Sequence, residues 1–235
     1  MTRLSSFAAQ TLQRQIHEGH YPDGSALPGQ RDLAASLGIS RTALREAVST
    51  LEALGMLRSQ PGKGVFVTTG KGRTANDVPP GPLAMSPQDV FQFRAIVEPA
   101  AAALAACHAD AAGREALQAI QTRMDAALHA LDLVGASEAD LDFHLAIADY
   151  AANPLLSSAI RSLEEPIAYS LRLPFADPGG VWAPADEHHA VLAAICAGDA
   201  AAAHAAMRQH LIHAAARIGI AFTNLSFIDL SFATP

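Results

Sequence analysis

The sequence predicts a mainly α chain, with an amino-terminal winged helix-turn-helix and a carboxy-terminal all-α helical bundle. Three observations predict it. Apolar residues recur at helical spacing along most of the chain, and strand-like runs before the tail are confined to a short stretch around residue 60. Charge is split: residues 1–75 hold nine Lys and Arg against five Asp and Glu, and the remainder holds seven against eighteen. Between the two lies a segment, residues 70–82, without periodicity and ending in three prolines within four residues. The overall net charge of −7 therefore hides a basic module joined to an acidic body, and that asymmetry bears on partners.

In the amino-terminal part, residues 4–18 suit an amphipathic helix through Leu4, Phe7, Ala8, Leu12 and Ile16, capped by Ser5 or Ser6. A turn follows at Pro22-Asp23-Gly24. Leu33, Ala34 and Leu37 form the next helical run, Gly38 breaks it, and Ser40 offers its hydroxyl as a cap for another helix. There Leu44, Ala47, Val48, Leu51 and Leu54 make an apolar stripe, while Arg41, Thr42, Arg45 and Ser49 fall on the opposite face. A helix anchored on one side and bearing arginines and hydroxyls on the other suits a DNA major groove, because arginine bonds guanine through two parallel contacts. Residues 56–60 and 65–68 read as two short strands joined by Pro61-Gly62-Lys63-Gly64, a wing with a cation at its tip. The module is expected to span residues 1–70 and a linker residues 71–85.

The expected helical body spans residues 86–222. Ser86-Pro87 opens a helix reaching to about Ala109, which Pro99 is expected to kink or split. Gly113 precedes a second, to about Leu131, and Ser137 with Asp140 resembles a capping box for a third, to about Ala152. Asn153-Pro154 begins another, bent at Pro166. Pro184 starts a helix to Ala197, and Gly198-Asp199 ends it and caps the last, which runs to about Phe222. The pattern is a bundle of six or seven helices, followed by an unassigned tail, residues 223–235.

Cys107 and Cys196 stand alone in Ala-rich apolar runs and read as buried free thiols of a reducing compartment. The amino terminus lacks a basic-then-apolar leader pattern, and no stretch of membrane-spanning length is free of charge and Pro. The expected location is the cytoplasm, with no membrane partner.

Ten histidines are present, and three stand out with one acid. Asp140 and His144, four apart, share a helix face. His188 heads the apolar stripe of Val191, Leu192 and Ile195, and His210 sits beside Met207 and Ala214 on an inward face. Imidazoles aimed at a core need partners for their ring nitrogens, and a divalent cation shared with Asp140 would satisfy all three. Spacing alone leaves hydrogen-bonded core histidines as an alternative, with His189 and His213 as rival ligands. His17, His20, His108, His129 and His204 read as solvated or capping residues.

Two sets of motifs carry a family resemblance. Leu27-Pro28, Arg31-Asp32-Leu33-Ala34, Ser40-Arg41-Thr42, Leu44-Arg45-Glu46-Ala47, Gly55 and Pro61-Gly62-Lys63-Gly64-Val65-Phe66-Val67 resemble the winged-helix signature of the GntR family of bacterial transcription regulators. That resemblance implies Arg31, Arg41 and Arg45 on DNA, with Ser40, Thr42, Gly62 and Lys63 beside them. Gly29-Gln30 departs from the usual Ser-Glu and weakens the cap of the helix carrying Arg31. Arg94 with Glu98, Asp140-x-x-Phe143-His144, Asn153, Glu187-His188, Ala194-Ile195, Gly198-Asp199, Met207 and His210-Leu211 resemble the effector domain of the FadR-like (FCD) branch. It implies a metal held by Asp140, His144, His188 and His210, and all four residues are present. Ala152 stands where that branch usually has Gly.

Six-coordinate binding by this set leaves two positions for water or an effector carboxylate. Zn, Ni, Mn and Fe all accept the set, with zinc favoured. Arg94 is the expected effector clamp, with Asn153, Tyr169 and Arg172 as further candidates. The expected function is a ligand-responsive repressor that binds a palindromic double-stranded operator as a homodimer and senses a hydroxy acid or sugar acid. The alternatives are a metal-dependent enzyme built on the same four residues and a purely structural ion. Glu187, the only acid adjacent to the set, reads as a helix-start charge.

Overall fold

The computed structural model describes residues 3–68, 85–176 and 180–220. The linker and tail expectations lie outside these residues, apart from the linker's last position. The amino-terminal module contains α1 (Arg3–His17), α2 (Gln30–Ser36), α3 (Arg41–Ala53), β1 (Leu57–Gln60) and β2 (Gly64–Val67). Ser40 caps α3 by accepting from the Ala43 amide, whereas Gly29 gives α2 no side-chain cap. The strands pair antiparallel from Leu57 opposite Val67 to Gln60 opposite Gly64. Gly62 and Gly64 take positive φ in the connecting turn, which costs a glycine little and most other residues more. Leu12, Leu44, Leu51 and Leu54 are almost wholly enclosed and anchor the three helices and the hairpin to one another.

The helical body contains α4 (Pro87–His108), α5 (Ala111–His129), α6 (Leu133–Tyr150), α7 (Pro154–Ser162), α8 (Glu164–Arg172), α9 (Ala183–Ala197) and α10 (Ala200–Arg217). A 3-10 turn at Leu173–Ala176 follows α8. Ser86, Asp110, Asp132, Asn153 and Asp199 each cap the helix that follows with a side-chain oxygen. Gly198 closes α9 in the left-handed region.

Several expectations are corrected. Pro99 does not split α4: it removes one amide donor, but the helix runs on and Pro99 is buried. Helix α5 starts before Gly113, because Asp110 supplies the cap. Helix α6 is capped by Asp132 rather than Ser137, whose buried hydroxyl donates to the Val134 carbonyl. The segment expected to bend at Pro166 is two helices broken at Leu163, and Pro166 lies in the first turn of the second. Both cysteines are free, but both are exposed. By length and hydropathy α4 could cross a membrane, although over half of its most apolar window is buried inside the protein.

The two parts share apolar packing. One cluster joins Ala8 and Leu12 of α1 to Met124, Leu128, Val134 and Phe175 of the helical body. A smaller one sets Ala53, at the end of α3, beside Tyr169 and Leu173.

Candidate metal centre and DNA face

Helix α6 contributes Asp140 and His144 from one face, α9 contributes His188, and α10 contributes His210. All four side chains are buried, none more than 2% exposed. The three imidazoles each offer a ring nitrogen within 4.8 Å of the others. Asp140 Oδ1 lies 3.3 Å from His144 Nε2 and 3.4 Å from His188 Nε2. Phe143 stacks on the His188 ring at 4.3 Å between centroids and limits its rotation.

Unmet polar atoms give the site its chemistry. Asp140 Oδ1, both His188 nitrogens and His210 Nε2 are buried without a hydrogen-bond partner. Each such atom costs about 1–3 kcal/mol if left so. One divalent cation among them would satisfy the oxygen and an imidazole nitrogen from each ring, so the residues present fit a metal.

Carboxylates hold two of the rings from behind. His210 Nδ1 is 2.8 Å from Glu187 Oε2, which leaves Nε2 free to face inward. Glu187 also meets His213 Nδ1 at 2.9 Å and takes both terminal nitrogens of Arg217 at 2.8 and 2.9 Å. Burial works to raise the Glu187 carboxyl, but Arg217 and His210 outweigh it and hold it at about 2. On the other side His144 Nδ1 lies 2.7 Å from Glu98 Oε2, though not aligned as a hydrogen bond.

Arg94 completes that flank. Its Nε donates to Glu98 Oε1 at 2.7 Å, Nη1 donates to Ser170 Oγ at 3.1 Å, and Nη2 sits 3.2 Å from His144 Nε2. Burial works against the Glu98 charge, yet Arg94 and His144 hold its carboxyl at about 2. Burial likewise works against His144, but Glu98 and Asp140 raise it above the usual imidazole value. Burial, followed by the nearby His210, His144 and Arg94, pushes His188 well down, and His210 is also lowered chiefly by burial. Lowering favours the neutral imidazole, the form in which a histidine binds a metal.

Of the other candidates, His189 is exposed beside Asp125, and His213 is exposed on the outer side of Glu187. Asn153 is exposed and caps α7 through the Leu156 amide. Tyr169 packs with Ala53 and Leu173 at the seam between the two parts, and Arg172 has Glu138 and Glu165 of the helical body as its neighbouring acids. Glu98, Ser170 and Glu187 join the site instead. Only the Arg94–Glu98 and Glu187-His188 pairs gave a sequence signal for them, and Ser170 gave none.

On the amino-terminal module Arg31, Ser40, Arg41, Thr42, Arg45, Gly62 and Lys63 are all exposed. Arg31 Nε is 3.2 Å from Asp32 Oδ1, a solvated pair of little strength. The Ser40 hydroxyl is engaged as the α3 cap.

Comparison with known proteins matches both parts. Residues 4–67 match the family described as bacterial regulatory proteins, gntR family, and residues 89–213 match the FCD domain. A protein of Escherichia coli (strain K12) named "Putative L-lactate dehydrogenase operon regulatory protein" is 34% identical over 220 residues, covering 89% of this chain and 84% of its own. The HTH-type transcriptional regulator LutR of Bacillus subtilis (strain 168) is 30% identical over 204 residues, covering 83% and 92%. Among solved structures, a GntR transcriptional regulator from Rhodococcus sp. RHA1 superimposes with a TM-score of 0.53 at 24% identity, over 92% of this chain and 98% of its own, a likeness of fold.

Proposed function

Because the chain belongs to the gntR family of bacterial regulatory proteins and carries an FCD domain, we propose that this DNA-binding transcription regulator senses a small carboxylate at a metal ion. The ion is held by Asp140, His144, His188 and His210. The observation that carries this reading is the convergence of three buried imidazoles within 4.8 Å of one another, with Asp140 Oδ1 within 3.4 Å of two of them and inward atoms of Asp140, His188 and His210 unpartnered. Divalent zinc, nickel, manganese or iron would fit the donor set.

Charge supports a carboxylate ligand. Arg94 and Glu98 offset each other at 2.7 Å. A divalent ion with Asp140 then leaves a single net positive charge in an enclosed site, which a monocarboxylate neutralises. Arg94 Nη2, 3.2 Å from His144 Nε2, stands next to the site as a donor for such a ligand. The names of relatives point the same way, since one refers to an L-lactate dehydrogenase operon. A hydroxy acid, which can bind an ion through carboxylate and hydroxyl together, is the ligand class to test first.

The exposed Arg41, Thr42 and Arg45 of α3 would enter the major groove, with Arg31 on α2 and Gly62 and Lys63 of the wing against the backbone. Two copies on a palindromic operator, released when the effector binds, make the chain a cytoplasmic repressor. An enzyme at the same centre needs a free base, and the two nearest carboxylates beyond Asp140 are tied to Arg94 and Arg217.

A thermal-shift series of hydroxy acids, sugar acids and amino acids, with metal and with chelator, tests the reading. Stabilisation by a carboxylate only in the presence of metal supports it. Equal stabilisation with chelator would separate the carboxylate from the ion and defeat it.

A further inference from the structure

Residues 6, 10 and 13 lie on one face of α1, and that face grips the turn between α5 and α6. Gln13 is only 4% exposed. Its Nε2 donates to the Leu131 carbonyl at 3.1 Å and to Asp132 Oδ1 at 3.2 Å, while its Oε1 accepts from the Val134 amide at 3.2 Å. Gln10 Nε2 donates to Asp132 Oδ2 at 2.9 Å, and the Ser6 hydroxyl donates to Glu138 Oε1. Leu131 holds a positive φ of 54°, unusual for a residue with a branched side chain, and its carbonyl is one of the Gln13 acceptors. Packing backs the polar contacts, since Ala8 and Leu12 of α1 share an apolar cluster with Val134 and Ala136 of α6.

The same helix carries half of the ligand set. Asp140 is two residues beyond Glu138, and His144 is one turn further. At about 1.5 Å per residue, roughly 9 Å of continuous helix separates Glu138 from His144. Helix α6 therefore touches the DNA-binding module with its first two turns and the buried centre with its middle.

We propose that α6 is the lever of this regulator, and that the grip of Ser6, Gln10 and Gln13 on its amino-terminal end conveys occupancy of the buried centre to the winged helix. A shift of α6 on closing around an ion moves Asp132, Val134 and Glu138 as one body, and α1 follows because Gln13 bonds the Leu131 carbonyl, Asp132 and the Val134 amide at once. The route runs through side chains and does not need the covalent linker. The inference rests on the metal reading for its input.

Hydrogen exchange of the full-length protein, with and without added zinc, tests it. In the wild type zinc slows exchange around residues 140–144 and also along α1, the latter by about fivefold or more, the equivalent of one hydrogen bond. In Gln13→Ala, the slowing around residues 140–144 persists and the α1 response disappears. Ser6→Ala/Gln10→Ala, which spares the buried amide, weakens the α1 response in the same direction and guards against a folding defect in the first variant. An α1 response that survives undiminished in both variants overturns the lever, as does a wild-type α1 that ignores zinc while α6 responds. A wild-type α6 that ignores zinc defeats the metal reading instead, and leaves the lever without an input.

Discussion

Replacing Arg94 by Met should cost the helical body about 3–5 kcal/mol, because it strands a buried carboxylate. Arg94 is wholly enclosed and Glu98 is 2% exposed, so water cannot take over when the guanidinium goes. The substitution removes the 2.7 Å bond from Nε to Glu98 Oε1, the weaker 3.4 Å bond from Nη2 to Oε2, and the 3.1 Å bond to Ser170. Burial, which Arg94 now outweighs, would then push the Glu98 carboxyl up, and only His144 would remain beside it. The pair variant Arg94→Met/Glu98→Met removes both charges and should recover most of the loss. His144 Nδ1 would still lack its neighbour, a residual cost of about 1–3 kcal/mol. Urea unfolding followed by far-ultraviolet circular dichroism, in chelator so that metal does not contribute, gives the two differences. A single variant within about 1 kcal/mol of the wild type would refute the reasoning, and so would a pair variant no more stable than the single one. The pair variant should also fold, and its operator binding should no longer respond to a carboxylate effector.

Two further outcomes are expected. Glu187→Gln should weaken metal binding about 10- to 100-fold in a competition titration, because Glu187 orients His210 from 2.8 Å behind the ring; unchanged affinity would make Glu187 a partner of Arg217 alone. Arg45→Ala should weaken operator binding by about 1–3 kcal/mol in a fluorescence-anisotropy titration if the side chain reads a base, and an equal loss on random duplex would assign it to the phosphate backbone.

Local rules carried the reading of the amino-terminal module. Ser40 precedes a stripe with few competing interpretations, and the glycines of the wing left little choice of turn. The i, i+4 pair Asp140–His144 and the apolar stripe behind His188 were equally legible, because each depends on one helix. In the Ala-rich helices the rules lost their grip. Alanine fits either face, so Cys107 and Cys196 read as buried in their apolar runs, yet both are exposed. Caps were confused where two candidates competed, as Asp132 and Ser137 did before α6. Residues whose role depends on a partner far along the chain were out of reach. Ser170 meets Arg94 across 76 positions and Gln13 meets Val134 across 121, and neither leaves a periodic trace. The same limit misplaced Tyr169, which packs on Ala53 of the DNA-binding module.

Metal stoichiometry tests the central claim most directly. The protein, stripped with chelator, incubated with zinc and freed of excess ion, should retain one equivalent per chain, measured by atomic emission. His188→Ala and His210→Ala should each lose it, while His189→Ala, altered one residue away but facing Asp125, should keep it. Equal zinc in the His188 and His189 variants, or none in the wild type, would contradict a metal centre built on Asp140, His144, His188 and His210.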